Sequence, residues 1–359
     1  MEILRIIKGT GSTSAGLNNF IYTRSRLNLD ERQTYLELFN YNFPENSPKF
    51  NFISAKDSYI RLTKIVFQWI RKATKDSVIH VHSPALIIFT IIAKYLSFQN
   101  IPVIFSIHNH NRNFGFIQKI FIFAGFIFAS RVVFVSNDSH ESFNKGLYKR
   151  IIRNKSKVIT NGTDFEQIKN FRKSKYKKHC KKIISVSRLV EQKNIFFMID
   201  VFSRVNFNFM LNIYGAGHLQ KELENYIRSK KLGDSIKLYK PIERKNFYKK
   251  LQDHDLYIST SDWEGMPQAL IEAAGIGLPC IVSNIPSHCE IAQEAKHVKC
   301  CKSKNPVFWA NTLNEFYEKY SDNAPISDED LENFYSSKFS AKKMHFEYHR
   351  VYKSGLKDR

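Results

Sequence analysis

The chain has 359 residues, 43% of them hydrophobic and 14% aromatic, with 30 Phe. That length suits two domains rather than one average core, and the apolar content excludes wholesale disorder because there is enough surface to bury. Lys and Arg number 55 against 33 Asp and Glu, a formal +22, so the expected partner is negatively charged (nucleic acid, anionic membrane or phosphorylated substrate) unless the excess is compositional drift in a chain rich in Lys, Ile, Asn and Phe.

The first run, MEILRIIKG, is too short in apolar residues for a signal-peptide core. Cys180, Cys280, Cys289, Cys300 and Cys301 form no CxxC pair, which speaks against a zinc site or a disulfide framework. A reducing cytoplasm is the expected setting. After MEILRII come SVIHVHS, PVIFSIHN, RVVFVSN and KVITNG in the first half, then KIISVSRL, FMLNIYG, SIKLYK, DLYIST and PCIVSN in the second. Continuous apolar runs separated by helical stretches predict α/β architecture with two successive parallel sheets.

The basic stretch RLTKIVFQWIRKATK, 61–75, predicts a cationic surface in the first domain. The segment FGFIQKIFIFAGFIFASR, 114–131, is broken by Gln118 and Lys119 and too short to span a bilayer. It reads as a buried helix or as one lying in a membrane interface. His80 and His82 of IHVHS are expected to point to opposite faces of their strand and so not to share a metal. Residues 163–182, TDFEQIKNFRKSKYKKHCKK, read as a solvated basic linker. Near the end, Ser340 predicts a cap for a helix with Met344, Tyr348, Val351 and Tyr352 on one face.

The chemistry concentrates in SDWEGMPQALIEAAGIGLPCIVSN, 261–284. Pro267 suits a first helical position, so a helix starting there would offer the N–H groups of Gln268, Ala269 and Leu270 beside the C-terminal edge of a parallel sheet, where open α/β folds bind phosphates. Glycines 275 and 277 should end it. Glu264 and Glu272 flank that anion site, where carboxylates suit sugar hydroxyls on either side of a diphosphate. Arg188 and Lys193 in SVSRLVEQKN follow a strand and suit the diphosphate itself. Gly215 and Gly217 mark another strand-to-helix turn, but Gln220 stands where a dinucleotide fingerprint has its third glycine.

In order, TNGTD, SRLVEQKN, YGAGHLQKEL, EGMPQALIE and AAGIGLPCIVSN resemble the motifs of the glycosyltransferase family 4 (group 1) enzymes, specifically over 158–290. The resemblance implies a GT-B fold: two Rossmann-like domains facing across a cleft, residues 1–165 for acceptor and 166–339 for nucleotide sugar, with 340–359 crossing back to the first. It implies donor contacts from Arg188, Lys193, Glu264, Glu272, Gly215, Gly217, Met266, Pro267, Gln268, Ala269 and, near the base, Ile242. TSAGLNNF matches the family's glycine loop at Gly16. SIHNH matches its histidine at His108, with Asn109 beside it and His82 toward the acceptor. Asn194, His218 and Asn109 depart from the residues usual in the family. Asn161 and Gly162 fall at its hinge.

The implied reaction moves a hexose-type sugar, with retention, from a nucleotide-diphosphate sugar to a glycan or lipid-linked acceptor in bacterial surface polysaccharide assembly. Arg188, Lys193 and the helix start would stabilise the leaving diphosphate, so no metal or other cofactor is expected. The basic first domain predicts peripheral contact with an anionic membrane. Two other readings are a nucleotide-sugar epimerase on the same fold, and a non-enzymatic polyanion binder; no nucleic-acid motif accompanies the charge.

Overall fold

The computed structural model describes residues 1–8, 32–38, 50–172, 182–320 and 326–357. The TSAGLNNF loop with Gly16, and Cys180, lie outside them. The chain forms two compact units, Met1–Gly162 with Ala341–Arg359, and Thr163–Ser340.

The first unit holds seven strands: β1 Glu2–Ile7, β2 Arg32–Glu37, β3 Phe50–Ser54, β4 Ser77–Val81, β5 Val103–Ile107, β6 Arg131–Phe134 and β7 Ser156–Val158. They pair in the order β3-β2-β1-β4-β5-β6-β7, all parallel. Side chains alternate across the sheet, so one period-2 set of each strand meets each covering layer. Leu4, Ile6, Ile79, Val81, Val103 and Phe105 bury against helices Tyr59–Lys72, Pro84–Ser97 and Phe116–Phe128. The opposite set, Ile3, Ile7, Val78 and Ile104, buries against Met344, Tyr348, Val351 and Tyr352 of helix Ala341–Leu356. The predicted apolar stripe of that last helix is therefore the face that closes the sheet.

The second unit has β8 Lys182–Val186, β9 Met210–Tyr214, β10 Ile236–Tyr239, β11 Leu256–Ser259, β12 Cys280–Ser283 and β13 Val298–Cys301. Their order is β10-β9-β8-β11-β12-β13, again all parallel. Apolar clusters cover both faces, which is why these strands read as unbroken apolar runs. The chain order reverses at β1/β4 in one sheet and at β8/β11 in the other. Such a reversal is where open α/β sheets bind ligands, because the loops leaving the two strands diverge.

Four expectations need correction. Three strands, β2, β3 and β13, escape the sequence reading: β2 carries Arg32, Gln33 and Glu37, while β3 and β13 are short edges. The supposed linker is in part core, since Phe165 and Ile168 of helix Phe165–Lys169 pack into the second unit; residues 173–181 lie outside the described set. Helix Phe116–Phe128 is not simply buried, because Ile122, Gly125 and Phe126 face inward while Phe116, Ile117, Ile120, Ile127 and Phe128 are exposed. Finally, Gly275 lies inside helix Gln268–Ile276, tight against Phe165, and Gly277 alone ends it in the left-handed region at φ +82°.

Gly215 and Gly217 owe their identity to packing. A Cβ on Gly215 would lie 1.8 Å from the Ser187 carbonyl oxygen, and one on Gly217 would lie 2.0 Å from that of Leu189. The loops after β8 and β9 are laced by Leu189 N–H to Ala216 O and Leu219 N–H to Leu189 O. Gly217→Ala is expected to cost about 1–3 kcal/mol or more in urea unfolding, because backbone must move; stability within about 0.5 kcal/mol of wild type would show that the approach is not this close.

Candidate active site

In the second unit the loops after β8 and β11 meet at the reversal of strand order. Arg188 and Lys193 follow β8, and Ser261 and Glu264 follow β11. Lys193 Nζ donates to Glu264 Oε1 in an ion pair whose members are only 14% and 10% exposed. Ser261 Oγ donates to the same carboxylate at 2.7 Å. Burial opposes ionisation of Glu264, yet Lys193, His288 and the Ser261 hydroxyl outweigh it and hold the carboxyl below its ordinary range. Arg188 is exposed and bonds Gln192 at 2.9 Å, while Gln192 reaches the Trp263 carbonyl at 2.7 Å and ties the two loops together.

Helix Gln268–Ile276 begins one residue later than its sequence predicts. Pro267 is the N-cap, and its carbonyl accepts from Leu270 N–H at 3.0 Å. Leu270 therefore drops out as an anion donor, leaving the N–H groups of Gln268 and Ala269. The Gln268 side chain turns to Thr163 Oγ1. Met266 and Ile242 pack at the edge of the adjacent apolar cluster.

Glu272, one turn further on, is 2% exposed and meets Arg244 Nη2 at 2.7 Å and the Tyr248 hydroxyl at 3.3 Å. The Arg244 guanidinium lies over the Tyr248 ring, 4.8 Å from its centroid. Burial first, and then the Glu272 charge, pushes the Tyr248 hydroxyl well above its ordinary pKa, so it stays a neutral donor. Sequence reasoning missed Arg244 and Tyr248, which stand in PIERKNFY among residues of ordinary surface character. It also missed His288, fully buried and bonded through Nδ1 to the Ser283 carbonyl at 2.9 Å. Burial lowers its pKa to about 4, against the pull of Glu264.

In the first unit the corresponding edge carries His82 and His108, at the ends of β4 and β5. His82 Nδ1 and His108 Nε2 are 3.1 Å apart. Asn109 is exposed, and its carbonyl accepts from Ser139 Oγ at 2.8 Å. His80 and His82 do not point apart as expected: residues i and i+2 share a face of a strand, and their rings lie 3.9 Å apart. Both present a ring nitrogen to the Arg5 guanidinium, at 2.8 Å for His80 and 3.2 Å for His82. Among the described residues no group of three or more His, Cys, Asp or Glu is placed to hold a metal ion.

Two family models cover most of the chain: Glycosyltransferase Family 4 over 16–167 and Glycosyl transferases group 1 over 166–332. The chain belongs to the group 1 glycosyltransferases. It is 28% identical to the capsular polysaccharide biosynthesis glycosyltransferase CapH of Staphylococcus aureus, over 54% of this chain and 54% of that one. It is 32% identical to the UDP-Gal:alpha-D-GlcNAc-diphosphoundecaprenol alpha-1,3-galactosyltransferase of Escherichia coli, over 44% of this chain and 43% of that one. The matches thus span about half the length of these relatives. Among solved structures, a glycosyltransferase from Rickettsia africae superposes with TM-score 0.80 at 16% identity, covering 100% of this chain and 99% of that one. Anabaena HepE in complex with UDP and glucose gives 0.78 at 17%, covering 99% and 100%. At such identities the likeness establishes the GT-B fold.

Within this group 1 glycosyltransferase, Asn194 stands where the family usually has Gly and adopts φ +48°, a left-handed conformation that Asn tolerates better than most residues. That substitution keeps the turn after Lys193. His218, in place of the usual Pro, meets Glu191 at 2.9 Å.

Lys193→Met is expected to destabilise the protein by about 3–5 kcal/mol at pH 7, because it strands a buried carboxylate, and adding Glu264→Gln should restore most of the loss. A carboxyl held below its ordinary value contributes its stability above the ordinary pKa and loses it as pH falls through the lowered one. Lys193→Met should therefore lose less stability on acidification than wild type. Denaturant unfolding of the three proteins at pH 7 and pH 4 measures both effects; equal stability of wild type and Lys193→Met at pH 7 would refute the buried pair.

Proposed function

We propose that this group 1 glycosyltransferase moves a hexose-type sugar, with retention, from a UDP-sugar to a glycan or lipid-linked saccharide in the assembly of a bacterial surface polysaccharide. One observation carries the donor assignment: the buried Lys193–Glu264 pair, with Arg188 on the same loop as Lys193, at the reversal of strand order. UDP is favoured because the Anabaena neighbour is described with UDP and with UDP-glucose, and the E. coli relative is named for UDP-Gal. The S. aureus relative is named for capsular polysaccharide biosynthesis.

An arriving diphosphate competes with Glu264 for Lys193, and Glu264 then accepts hydrogen bonds from the sugar. Arg188, Lys193 and the Gln268 and Ala269 amides stabilise the charge that grows on the leaving phosphate as the C1–O bond breaks. The acceptor oxygen forms the new bond on the same face, and its proton passes to that phosphate oxygen. Glu272 accepts from ribose hydroxyls, with Arg244 holding it in place. No step requires a metal. His108, Asn109 and His82 are assigned to the sugar and acceptor by their motif positions.

Thermal shift and calorimetry with UDP-, GDP- and ADP-sugars test the donor reading. UDP-sugars are expected to stabilise wild type, with affinity falling at least about tenfold in Arg188→Ala and Glu272→Ala, since each removes a charge-assisted hydrogen bond. Equal binding by wild type and both variants would remove the assignment. Conversion of a nucleotide sugar with no acceptor present would support an epimerase.

The first unit is proposed to rest on the inner face of an anionic membrane. Helices Tyr59–Lys72, Pro84–Ser97 and Phe116–Phe128 pack side by side. Tyr95, Phe98, Phe116 and Ile117 are 80%, 92%, 79% and 65% exposed. Between Asp76 and Asp138 the chain has no carboxylate, while Lys94, Arg112, Lys119 and Arg131 lie in that interval. Exposed apolar side chains on a unit with an excess of cations over carboxylates suit anionic lipid headgroups. Among the described residues no helix is long and apolar enough to cross a membrane. Wild type is expected to sediment with phosphatidylglycerol vesicles at low salt and not with phosphatidylcholine, and Phe98→Glu with Phe116→Glu to remain in the supernatant; equal sedimentation of both proteins would move the contact elsewhere.

A further inference from the structure

Arg5 is fully buried in the middle of β1. Strand alternation puts it on the same face as Ile3 and Ile7, and the order β1-β4-β5 lines it up with His80 and His82 on one neighbour and Ser106 and His108 beyond. Its Nε donates to Gln33 Oε1 at 2.9 Å, and its Nη2 donates to the Tyr352 hydroxyl at 2.5 Å. Its Nη1 faces His80 Nδ1 at 2.8 Å and His82 Nε2 at 3.2 Å.

A guanidinium has donors only and does not lose its proton in proteins. The two imidazole nitrogens facing it must therefore be acceptors. For His80 that leaves the proton on Nε2, which donates to Ser106 Oγ at 2.7 Å. For His82 it leaves the proton on Nδ1, directed at His108 Nε2 at 3.1 Å. His108 Nε2 must then accept, and its own proton sits on Nδ1. Protonating either His82 or His108 would turn two donors toward each other, in keeping with the lowered pKa of both rings, His108 to about 4 through burial.

We infer that Arg5 is a positioning residue that acts through His82 to fix His108 as the neutral Nδ1–H tautomer, so that this histidine meets its substrate as a hydrogen-bond donor at Nδ1 and not as an acceptor or a cation. The substrate group it selects is an oxygen with a free lone pair, such as a sugar hydroxyl; that last step rests on the donor reading above. The tautomer lock itself does not.

Histidine-selective 15N NMR at pH 7 tests the lock without any turnover. Wild type should show His82 and His108 each protonated at Nδ1 and bare at Nε2, with His80 protonated at Nε2. His108 bare at Nδ1 in wild type overturns the inference outright. Arg5→Lys keeps a donor-only cation and should keep all three patterns, whereas Arg5→Gln, which can present either an oxygen or an N–H, should give mixed tautomers at His82 and His108. In folded Arg5→Gln protein, an unchanged wild-type pattern refutes the role of Arg5. Should Arg5→Gln fail to fold, His82→Phe, which breaks the chain one link later, is expected to mix the His108 tautomers alone and leave His80 as in wild type. If UDP-sugars fail to bind while the three patterns hold, the donor reading fails and the lock stands.

Discussion

Parallel pairing sends every strand-to-helix loop to one edge of its sheet, and the chemistry of this protein is arranged by that constraint. Because β1 and β8 each sit mid-sheet with later strands on their other side, the loops after β8 and β11 part from one another, as do those after β1 and β4. Arg188, Lys193, Ser261 and Glu264 are assembled by the first of these partings, and His82 by the second. No single segment contains the cluster. The loops are held by the bond from Gln192 to the Trp263 carbonyl and by the close backbone approach at Gly215 and Gly217, so the charges sit on a rigid frame.

Strongly basic as it is, the chain holds the two carboxylates of its candidate site largely out of water, and each has its own cation. Glu264 has Lys193, and Glu272 has Arg244 with the neutral Tyr248 hydroxyl. Taking carboxylates out of water is costly unless they are paired and hydrogen-bonded, and these pairs meet that cost internally. In the first unit the same problem is solved with one charge: a buried guanidinium spends its donors on neutral acceptors, and the order of protons along three histidines follows.

Most of the candidate site in the second unit was legible because it is local. Strand, loop and helix stand within a few residues in KIISVSRLVEQKN and in DLYISTSDWEGMPQALIE, and chemistry at such joints follows from residue type and spacing. Arg244 was not legible, since its value depends on a helix turn bringing it onto Glu272 from a stretch of ordinary surface composition. His288 was hidden for a similar reason, being one residue of a short helix whose burial only the packed sheet decides. The Arg5 case is different. A lone Arg within ILRII and paired histidines within IHVHS are visible signals, and period 2 puts them on matching faces; what sequence does not supply is the pairing order that makes the strands neighbours. Interior β2 was lost because Arg32, Gln33 and Glu37 break its apolar run, and β3 and β13 because edge strands need no unbroken apolar run.

Helix Ala341–Leu356 closes the sheet to which β1 belongs, packing Tyr348 and Tyr352 over Ile3, Val78 and Ile104. The second unit, by contrast, is a single uninterrupted stretch, Thr163–Ser340. During synthesis the second unit can therefore complete itself while the sheet made earliest still waits with one apolar face uncovered, and with Arg5 lacking its Tyr352 partner. The order of maturation is the reverse of the order of translation. Until helix Ala341–Leu356 arrives, that open sheet offers its apolar face to self-association, and the helix's docking is the step that closes the first unit.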